Sequence, residues 1–122
     1  KGNSFVKQKN KNMVAVIFES FPKKGKWDEY LDIASNLRPE LSNVEGFISI
    51  ERFQSVSNPE KVLSLSFWEN EESIRQWRNI EMHRQAQAKG RKTIFNDYRL
   101  RVASVIRDYG MIERQQAPQD SK

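Results

Sequence analysis

The sequence predicts a single α+β domain with the element order βαββαβ, and three observations support this class. Four short segments rich in β-branched and aromatic residues are bounded by turn-forming residues, as strands are. Two longer segments repeat apolar residues at helical spacing, one after the first strand and one after the third. The length of 122 residues is typical of one domain with one hydrophobic core.

The first strand and the first helix form the front of this domain. The strand is predicted over residues 13–21, where the run MVAVIFESF contains no breaker, and Pro22 and Gly25 end it. The helix is predicted over residues 26–41, and Pro39 near its end is expected to tilt or terminate the last turn. One stripe of this helix is apolar and contains Trp27, Tyr30, Leu31, Ala34, Leu37 and Leu41.

The second and third strands form a predicted hairpin. They cover residues 46–56 and 61–69, and Asn58-Pro59 supplies the turn between them. Side chains of the third strand alternate between the two faces of the sheet. One face holds Leu63, Leu65 and Phe67, and the other holds Val62, Ser64, Ser66 and Trp68.

The second helix and the fourth strand complete the order. Glu71 and Glu72 favour a helix start after Asn70, because acidic residues are stabilised at a helix N-terminus. Gly90 interrupts this helix, and the fourth strand is predicted over residues 98–109. The apolar positions of the helix are Ile74, Trp77 and Met82.

Right-handed crossovers place both helices of this order on one face of a four-stranded antiparallel sheet, which is the ferredoxin-like fold. The other face is expected to carry apolar side chains such as Phe47, Phe53, Trp68 and Ile106 or their neighbours. An apolar sheet face of that size is seldom left in water. The sequence therefore predicts a homodimer in which two sheets close a dimeric α/β barrel.

The charge of the chain lies mostly at its front. The formal net charge is +5, and residues 1–12 contain four lysines and no acidic residue. The domain predicted over residues 13–112 is therefore nearly neutral, which argues against a nucleic-acid partner because such binding needs clustered Lys and Arg. Residues 1–12 are predicted to be a flexible basic extension and residues 113–122 a flexible tail.

Missing residue types and motifs narrow the function further. The chain contains no cysteine, which excludes disulfides and Cys-ligated metals and favours a cytoplasmic location. No apolar run reaches the length that spans a bilayer, so no membrane partner is expected. No Gly-rich phosphate loop, HExxH motif or metal-spaced cluster is present, so the sequence predicts no metal site, phosphoryl transfer or metal-assisted hydrolysis.

Three stretches carry a resemblance to a known family: the third strand ending in Phe67-Trp68-Glu69, then WRNIEMHRQAQAKGR, then DYRLRVASVIRDY. From Met13 to about Ile112 the chain resembles the antibiotic biosynthesis monooxygenase (ABM) family of dimeric α/β barrels, in particular its small, poorly characterised bacterial branch. The resemblance implies a homodimer with a cavity between the sheet and the helices of each protomer. It also implies oxidation of aromatic polyketides by O2 without metal, flavin or haem, and other members of the family degrade haem.

The residues of the quinone-forming members match this chain in part. Those enzymes have an Asn and a Trp on the third strand and a Tyr on the following helix. The matching positions here are Ser64, Trp68 and Ile74, so one of the three side chains is kept.

The residues of the haem-degrading members match less well. Those enzymes have an Asn on the first strand and a Trp and an axial His on the second helix, and the matching positions are Phe18, Trp77 and Gln87. Neither Phe18 nor Gln87 replaces the lost donor and the lost iron ligand. His83, one helical turn before Gln87, is the only histidine. The resemblance therefore favours the cofactor-independent reaction over haem degradation.

Three residues of the second half of the chain are the first candidates for a site. His83 is a candidate catalytic base, because an imidazole accepts a proton near neutral pH, and a surface or dimer-contact position is the alternative. Trp68 is the second catalytic candidate, as an aromatic wall that orients a planar substrate, and Trp77 is a further wall. Core packing is the alternative for both tryptophans.

The last strand adds polar candidates. Tyr98 and Tyr109 are expected to donate hydrogen bonds to a substrate carbonyl, or to pack at the rim of the barrel. Arg99 and Arg101 are expected to neutralise a phenolate or a carboxylate, or to form an exposed, ion-paired face. The predicted substrate-binding set is Phe18, Ser64, Trp77, Tyr98 and Arg99.

The leading hypothesis is an ABM-type monooxygenase that acts with O2, and without a cofactor, on a small planar aromatic substrate of phenolic or polyketide-like type. Burial would exclude water from a reactive peroxide intermediate. The alternative is a non-catalytic homodimer that binds a small ligand or serves in a stress response, because Ser64 and Ile74 depart from the family pattern. A haem-binding or haem-degrading protein is the third hypothesis.

Overall fold

The structure is a computed structural model that describes residues 13–87 and 94–121, with residues 82–87 described by their backbone only. Its elements are β1 (Val14–Pro22), α1 (Trp27–Ser42), β2 (Phe47–Gln54), β3 (Val62–Trp68), α2 (Glu71–Gln87) and β4 (Phe95–Ser104). This is the predicted order βαββαβ. The basic extension predicted over residues 1–12 lies outside the described residues.

The four strands form one antiparallel sheet in the order β2-β3-β1-β4. The central strand β1 pairs with β3 and β4, so that Phe18 lies opposite Ser64 on one side and Leu100 on the other. Side chains that lie directly opposite each other on neighbouring strands point to the same face of a sheet. The register therefore assigns the paired residues to faces, and the topology confirms the ferredoxin-like fold.

Both helices pack on one face of the sheet, called here the helix face. One cluster of buried residues joins the end of α1 and the start of α2 to the sheet and contains Val14, Leu41, Val44, Trp68 and Ile74. A second cluster lies under the start of α1 and contains Tyr30, Val62 and Ile94. Burial of each large apolar side chain contributes roughly 1.5–3 kcal/mol, so these two clusters hold the helices on the sheet.

The helix ends depend on a few polar and glycine positions. α1 continues through Pro39 to Ser42, so the proline lies inside the last turn and does not end the helix. At the start of α2, the side-chain oxygen of Asn70 accepts hydrogen bonds from the N–H and the hydroxyl of Ser73, at 2.9 and 3.0 Å. Gly46 has a φ of +94°, and a Cβ atom there would collide with the Ser73 hydroxyl. This position therefore requires glycine.

Two side chains expected on the uncovered face lie on the helix face instead. Trp68 pairs with Val14, which belongs to the core. Phe47 also pairs with Trp68, and a register shift leaves Ile48 as an extra residue between Phe47 and Ser49. The prediction was wrong for Trp68 and Phe47 because alternation divides a strand into two sets of side chains without saying which set faces the helices.

The uncovered face, called here the open face, is apolar at its centre and charged at one end. Its apolar residues are Ile17, Phe53, Leu63, Leu65 and Phe67. Phe53 was expected there, and Ile106 lies beyond the end of β4 and is 87% exposed. Glu19 forms ion pairs with Lys61 at 3.6 Å and with Arg101 at 3.3 Å. The open face is therefore a mixed surface with an apolar centre.

The fourth strand starts three residues and ends five residues earlier than predicted. It covers Phe95–Ser104, whereas the sequence predicted residues 98–109. Its partner β1 begins at Val14, and the last bond between the two segments joins the Val105 N–H to the Met13 carbonyl oxygen at 3.0 Å. The strand ends there because the described part of the chain offers no further partner for it.

Residues 105–121 follow β4 as a C-terminal segment that includes most of the predicted tail. The Gly110 N–H donates to the Glu113 carbonyl oxygen at 2.7 Å, and the Asp108 N–H donates to the Gln116 side chain at 2.8 Å. A 3-10 helix covers Gln119–Ser121. Three apolar side chains of the segment are almost fully exposed, namely Ile106, Met111 and Ile112.

Candidate functional site

The helix face is covered unevenly, and this leaves an open surface on β4. On β3 the helix-face residues Val62, Ser64 and Ser66 are buried. On β4 the corresponding side chains of Tyr98, Leu100 and Val102 are 58%, 52% and 43% exposed. The surface formed by Phe18, Phe95, Tyr98, Leu100 and Val102 is called here the β4 cleft. It is an apolar and aromatic surface beside the helices, which is the expected place of a ligand site in a protomer.

Three aromatic rings of the β4 cleft pack together at one end of it, and the buried ring of Tyr30 lies behind them. Phe18 contacts Phe95 edge to face, with ring centroids 5.6 Å apart, and contacts Tyr98 at 5.4 Å. Tyr30 of α1 contacts Phe95 from the other side, also at 5.6 Å. The structure thus brings the predicted residues Phe18 and Tyr98 together. Phe95 and Tyr30 were not predicted as site residues; Phe95 stands three residues before Tyr98, outside the predicted fourth strand.

Trp68, predicted to be catalytic, lies in the interior. It is 2% exposed, and its indole N–H donates to the hydroxyl of Ser66 at 2.9 Å. Its ring contacts Phe47 at a centroid distance of 5.3 Å. Ser64 is also buried, at 8% exposure, on the same face. The structure therefore places Trp68 in the core, which was the alternative reading for this residue.

The inner stripe of α2 carries a carboxylate that sequence analysis missed. Ile74 is buried, Trp77 packs against the core cluster, and Glu81 follows one helical turn after Trp77. The Trp77 indole N–H donates to the Glu81 carboxylate, which lowers the pKa of Glu81, but burial raises that pKa more. In the sequence, Glu81 follows Trp77 by four residues and Ile74 by seven, so it continues the apolar stripe of the helix. His83 is part of α2, but the structure describes only its backbone and not its side chain.

The predicted arginines do not join this surface. Arg99 and Arg101 lie on the open face, where Glu19 is opposite Arg99 and binds Arg101 at 3.3 Å. A different arginine approaches the aromatic rings from β2, since the Arg52 side chain donates to the Tyr30 hydroxyl at 3.3 Å. The exposed, ion-paired alternative therefore describes Arg101, and Arg52 is the cation nearest to the rings among the described contacts.

Two further features lie near the ends of the sheet. The Ser20 hydroxyl is fully buried beside Tyr98 in the register, and it has no hydrogen-bond partner in the part of the chain that the structure describes. A hollow of about 360 Å³ lies between Met13 and the turn at residues 108–116. Tyr109 lines this hollow near Met13, just before β1 begins, whereas Tyr98 pairs with Ser20 near the end of β1. The two predicted tyrosines therefore lie at opposite ends of the sheet.

The described residues contain no group of three His, Asp or Glu side chains that could hold a metal ion. None of the helices in residues 13–87 and 94–121 is long and apolar enough to cross a membrane.

Comparison with known proteins identifies the family. The family model described as antibiotic biosynthesis monooxygenase matches residues 13–89. The chain belongs to this family. Its resemblance to ABM proteins in the sequence is thereby confirmed.

Two curated relatives differ in how much of their length the chain covers. An enzyme named Jasmonate monooxygenase ABM, from the fungus Pyricularia oryzae, is 50% identical over 93 residues, which is 76% of this chain and 43% of that enzyme. The chain thus spans less than half of the length of this relative. The Bacillus subtilis protein YqjZ is 28% identical over 76% of the chain and 79% of that protein.

Solved structures agree with the ABM fold. The heme-degrader MhuD from Mycobacterium tuberculosis superimposes with a TM-score of 0.61 over 80% of this chain and 99% of that chain, at 20% identity. At this level of identity the similarity concerns the fold alone.

Proposed function

We propose that this ABM protein is a cofactor-independent monooxygenase that oxidises a small planar substrate with O2 in the β4 cleft. The observation that carries the proposal is the exposed surface of Tyr98, Leu100 and Val102 beside the half-buried ring of Phe18, on the face of the sheet that holds the helices. Rings and aliphatic side chains bind a planar molecule by stacking and burial. The exposed hydroxyl of Tyr98 is placed to donate a hydrogen bond to a carbonyl or phenolate oxygen.

The reaction needs little more from the protein than binding and proton transfer. A phenolic or anthrone-like substrate that loses a proton becomes a carbanion or enolate, and this anion itself reduces O2. A substrate that lies on Tyr98, Leu100 and Val102 covers side chains that are now about half exposed, and it thereby excludes water from that surface. No side chain of the cleft has to change its oxidation state.

The name of the fungal relative widens the choice of substrates. At 50% identity, a protein called jasmonate monooxygenase supports an oxygenase reaction for this chain and suggests a small cyclic ketone that carries a carboxylate as a second substrate type. Within the described contacts, Arg52 at the Tyr30 hydroxyl is the cation closest to the aromatic rings. A panel of anthrones, hydroquinones and jasmonic acid therefore covers both types.

Oxygen uptake with this panel tests the proposal. The purified protein, with no added metal, flavin or haem, is incubated with each compound in air and under nitrogen. We expect oxygen consumption and product formation in air only, above the rate of the protein-free solution, for at least one compound. Rates equal to the protein-free rates for the whole panel would overturn the proposal.

We also propose that the open face is the interface of a homodimer. Its apolar centre of Ile17, Leu65 and Phe67 is flanked by charged residues such as Glu19 and Arg101, as apolar interface centres usually are. The exposed Ile106, Met111 and Ile112 of the C-terminal segment add apolar area that a second copy would cover. Protomers of this kind would pack their sheets face to face.

A second candidate function is a homodimer that binds a small ligand without turnover. Ser64 and Ile74 stand where the quinone-forming members have Asn and Tyr, and both are buried, so neither reaches the β4 cleft. Native mass spectrometry of the freshly purified protein separates the two candidates. A small molecule that is recovered unchanged, with no oxygen uptake, favours binding, whereas turnover favours the enzyme.

Haem binding is tested in the same preparation. Phe18 and Gln87 stand where haem-degrading members have Asn and the axial His, and Phe18 is packed between two other rings. Titration with haemin is expected to give no Soret band of a ligated haem. A saturable Soret band at one haem per protomer would favour haem chemistry over the monooxygenase.

A further inference from the structure

We infer that Glu81 is the base of the β4 cleft, which takes the acidic proton from the bound substrate. This inference rests on the proposed function and names the residue that performs its first chemical step. Three observations carry it: the position of Glu81 along α2, its surroundings, and the contrast with another glutamate of the same helix.

The position of Glu81 follows from helix and strand geometry. Ile74, near the start of α2, packs in one cluster with Val14 at the start of β1. A helix rises about 1.5 Å per residue, so Glu81, two turns after Ile74 on the same side, lies about 10 Å farther along the sheet. A strand rises about 3.3 Å per residue, so this is a step of about three residues along β1. Three residues after Val14 is Ile17, and the next residue is Phe18, whose side chain points to the helix face and belongs to the cleft.

The direction of α2 supports the same placement. β3 ends at Trp68, where β1 begins, and α2 starts directly after it, so the helix runs along β1 toward Pro22. β4 begins opposite that end, with Phe95 paired to Pro22. The second half of α2 therefore lies beside the aromatic end of the cleft.

The surroundings of Glu81 are those of a base and not of an ion pair. The side chain is half-buried, and among the described residues its one polar partner is the Trp77 indole N–H. No cation pairs with it in the part of the chain that the structure describes. Burial accordingly raises the pKa of Glu81 above the usual value of 4.5. A carboxylate with this property accepts a proton more readily than an exposed one.

The neighbouring elements bring few other titratable groups to this side. The helix-face side chains of β1 and β3 are uncharged: Val14, Val16, Phe18, Ser20, Val62, Ser64, Ser66 and Trp68. β4 brings Tyr98, and Arg52 of β2 is engaged with Tyr30. On α2 itself Arg78 is exposed, and the side chains of His83 and Arg84 are outside the described residues.

Glu72, in the first turn of the same helix, shows the opposite arrangement. It is exposed and bound to Arg75 at 2.7 Å, and the Arg75 guanidinium lowers the pKa of Glu72. An exposed, ion-paired glutamate is the ordinary condition of a helix surface. Glu81 lacks such a partner, and a half-buried carboxylate that costs stability is typical of a functional group.

The step balances without a further reactant from the protein. With an anthrone, a C–H bond of the CH2 group breaks, its electron pair stays on the substrate, and the proton moves to a Glu81 carboxylate oxygen. The carbanion then reduces O2, and one oxygen atom ends in the new C=O group of the quinone. The second oxygen atom leaves as water with the two hydrogens of the CH2 group, one of them returned by Glu81. The sum is CH2 plus O2 to C=O plus H2O.

The test compares Glu81→Gln with Glu81→Asp, and uses Glu72→Gln as the matched control on the same helix. The substrate is the panel compound with the highest oxygen-dependent rate, and anthrone is the reference. We expect kcat to fall about 100-fold or more in Glu81→Gln, which is the usual contribution of a general base. Glu81→Asp should keep part of the rate, and Glu72→Gln should keep all of it.

Two further readouts separate a chemical role from a structural one. The pH profile of kcat/KM in the wild type should have an acid limb above pH 4.5 that is absent in Glu81→Gln. Under nitrogen in D2O, the wild type should exchange the substrate CH2 hydrogens for deuterium, and Glu81→Gln should not.

The outcomes distinguish the inference from the proposed function. Wild-type turnover with an unchanged rate, acid limb and deuterium exchange in Glu81→Gln overturns the inference and leaves the function in place. Absence of turnover in the wild type overturns both. If Glu81→Gln does not fold, the 13C carboxyl shift of Glu81 in the wild type decides: a pKa that is not raised, or no response to the substrate, overturns the inference.

Discussion

The indole N–H of Trp68 donates to the hydroxyl of Ser66 at 2.9 Å inside the core. The two side chains leave the same face of β3, two residues apart, and both are buried. Because the indole has one donor and no acceptor, this contact satisfies its whole hydrogen-bonding capacity. Trp68 is thereby held in the core, whereas Tyr98 of β4, on the same face of the sheet, is 58% exposed.

Ser66→Ala is expected to destabilise the protein by about 1–3 kcal/mol, because it leaves the buried Trp68 N–H without an acceptor. Urea unfolding at neutral pH measures this loss. Ser49→Ala is the control, since Ser49 is an exposed serine on the neighbouring strand β2. Equal stability of the two variants would mean that the Trp68 to Ser66 bond does not contribute to the core.

Glu81→Gln is expected to gain stability over the wild type as the pH rises. The fold raises the pKa of Glu81 above 4.5, so it favours the protonated carboxyl. The stabilisation by Glu81 is complete below pH 4.5 and is lost as the pH passes the raised pKa. Urea unfolding between pH 4 and pH 8 follows the difference between the two proteins.

Glu72→Gln should show the opposite trend in the same experiment. The fold lowers the pKa of Glu72, so the charged form stabilises the wild type above pH 4.5 and this effect is lost on acidification. The trend is expected to be small because Glu72 is exposed and its ion pair is screened by solvent. If the stability difference from the wild type changed with pH in the same direction for both variants, the opposite pKa shifts of Glu72 and Glu81 would be contradicted.

Tyr98→Leu is expected to weaken substrate binding roughly 3- to 10-fold, since an aromatic contact contributes about 0.5–1.5 kcal/mol beyond burial. The exposed position of Tyr98 means that folding should be little affected. Titration of the panel compounds, followed by the quenching of intrinsic fluorescence, measures the dissociation constant. Tyr109→Leu at the C-terminal turn is the control, and an equal effect of both changes would place the ligand outside the β4 cleft.

Leu65→Glu is expected to convert a homodimer into monomers, because it puts a charge at the apolar centre of the open face. Light scattering after gel filtration measures the mass. Leu31→Glu on the outer side of α1 is the matched control, since Leu31 is 46% exposed on an element that does not touch the open face. A monomeric wild type, or a dimeric Leu65→Glu, would contradict the proposed interface.

The order of the elements could be predicted from the sequence because each has a strong local signal. The run from Met13 to Phe21 has no breaker, and the stripe from Trp27 to Leu41 has helical spacing. The ends of β4 had no such signal, because they depend on where its partner strand β1 begins and ends. The faces of β3 were ambiguous because its serines point to the helices and its leucines to the open face.

The site could be predicted only where it overlapped with a family position or a strand end. Phe18 and Tyr98 were predicted in this way, and the structure brings their ring centroids to 5.4 Å from each other. Their part in substrate binding stays a prediction. Glu81 was missed because an acid inside an apolar helix stripe looks like a surface residue until its burial is known. Arg99 was placed in the site because the sequence cannot tell the two faces of β4 apart.

Product formed under 18O2 tests the central claim most directly. The purified protein and the best panel compound are incubated with labelled oxygen in unlabelled water, and the product is analysed by mass spectrometry. A monooxygenase in the β4 cleft is expected to place one 18O atom in each product molecule. In Glu81→Gln the amount of labelled product should fall in parallel with activity. An unlabelled product, or a labelled one formed equally fast without protein, would contradict the account.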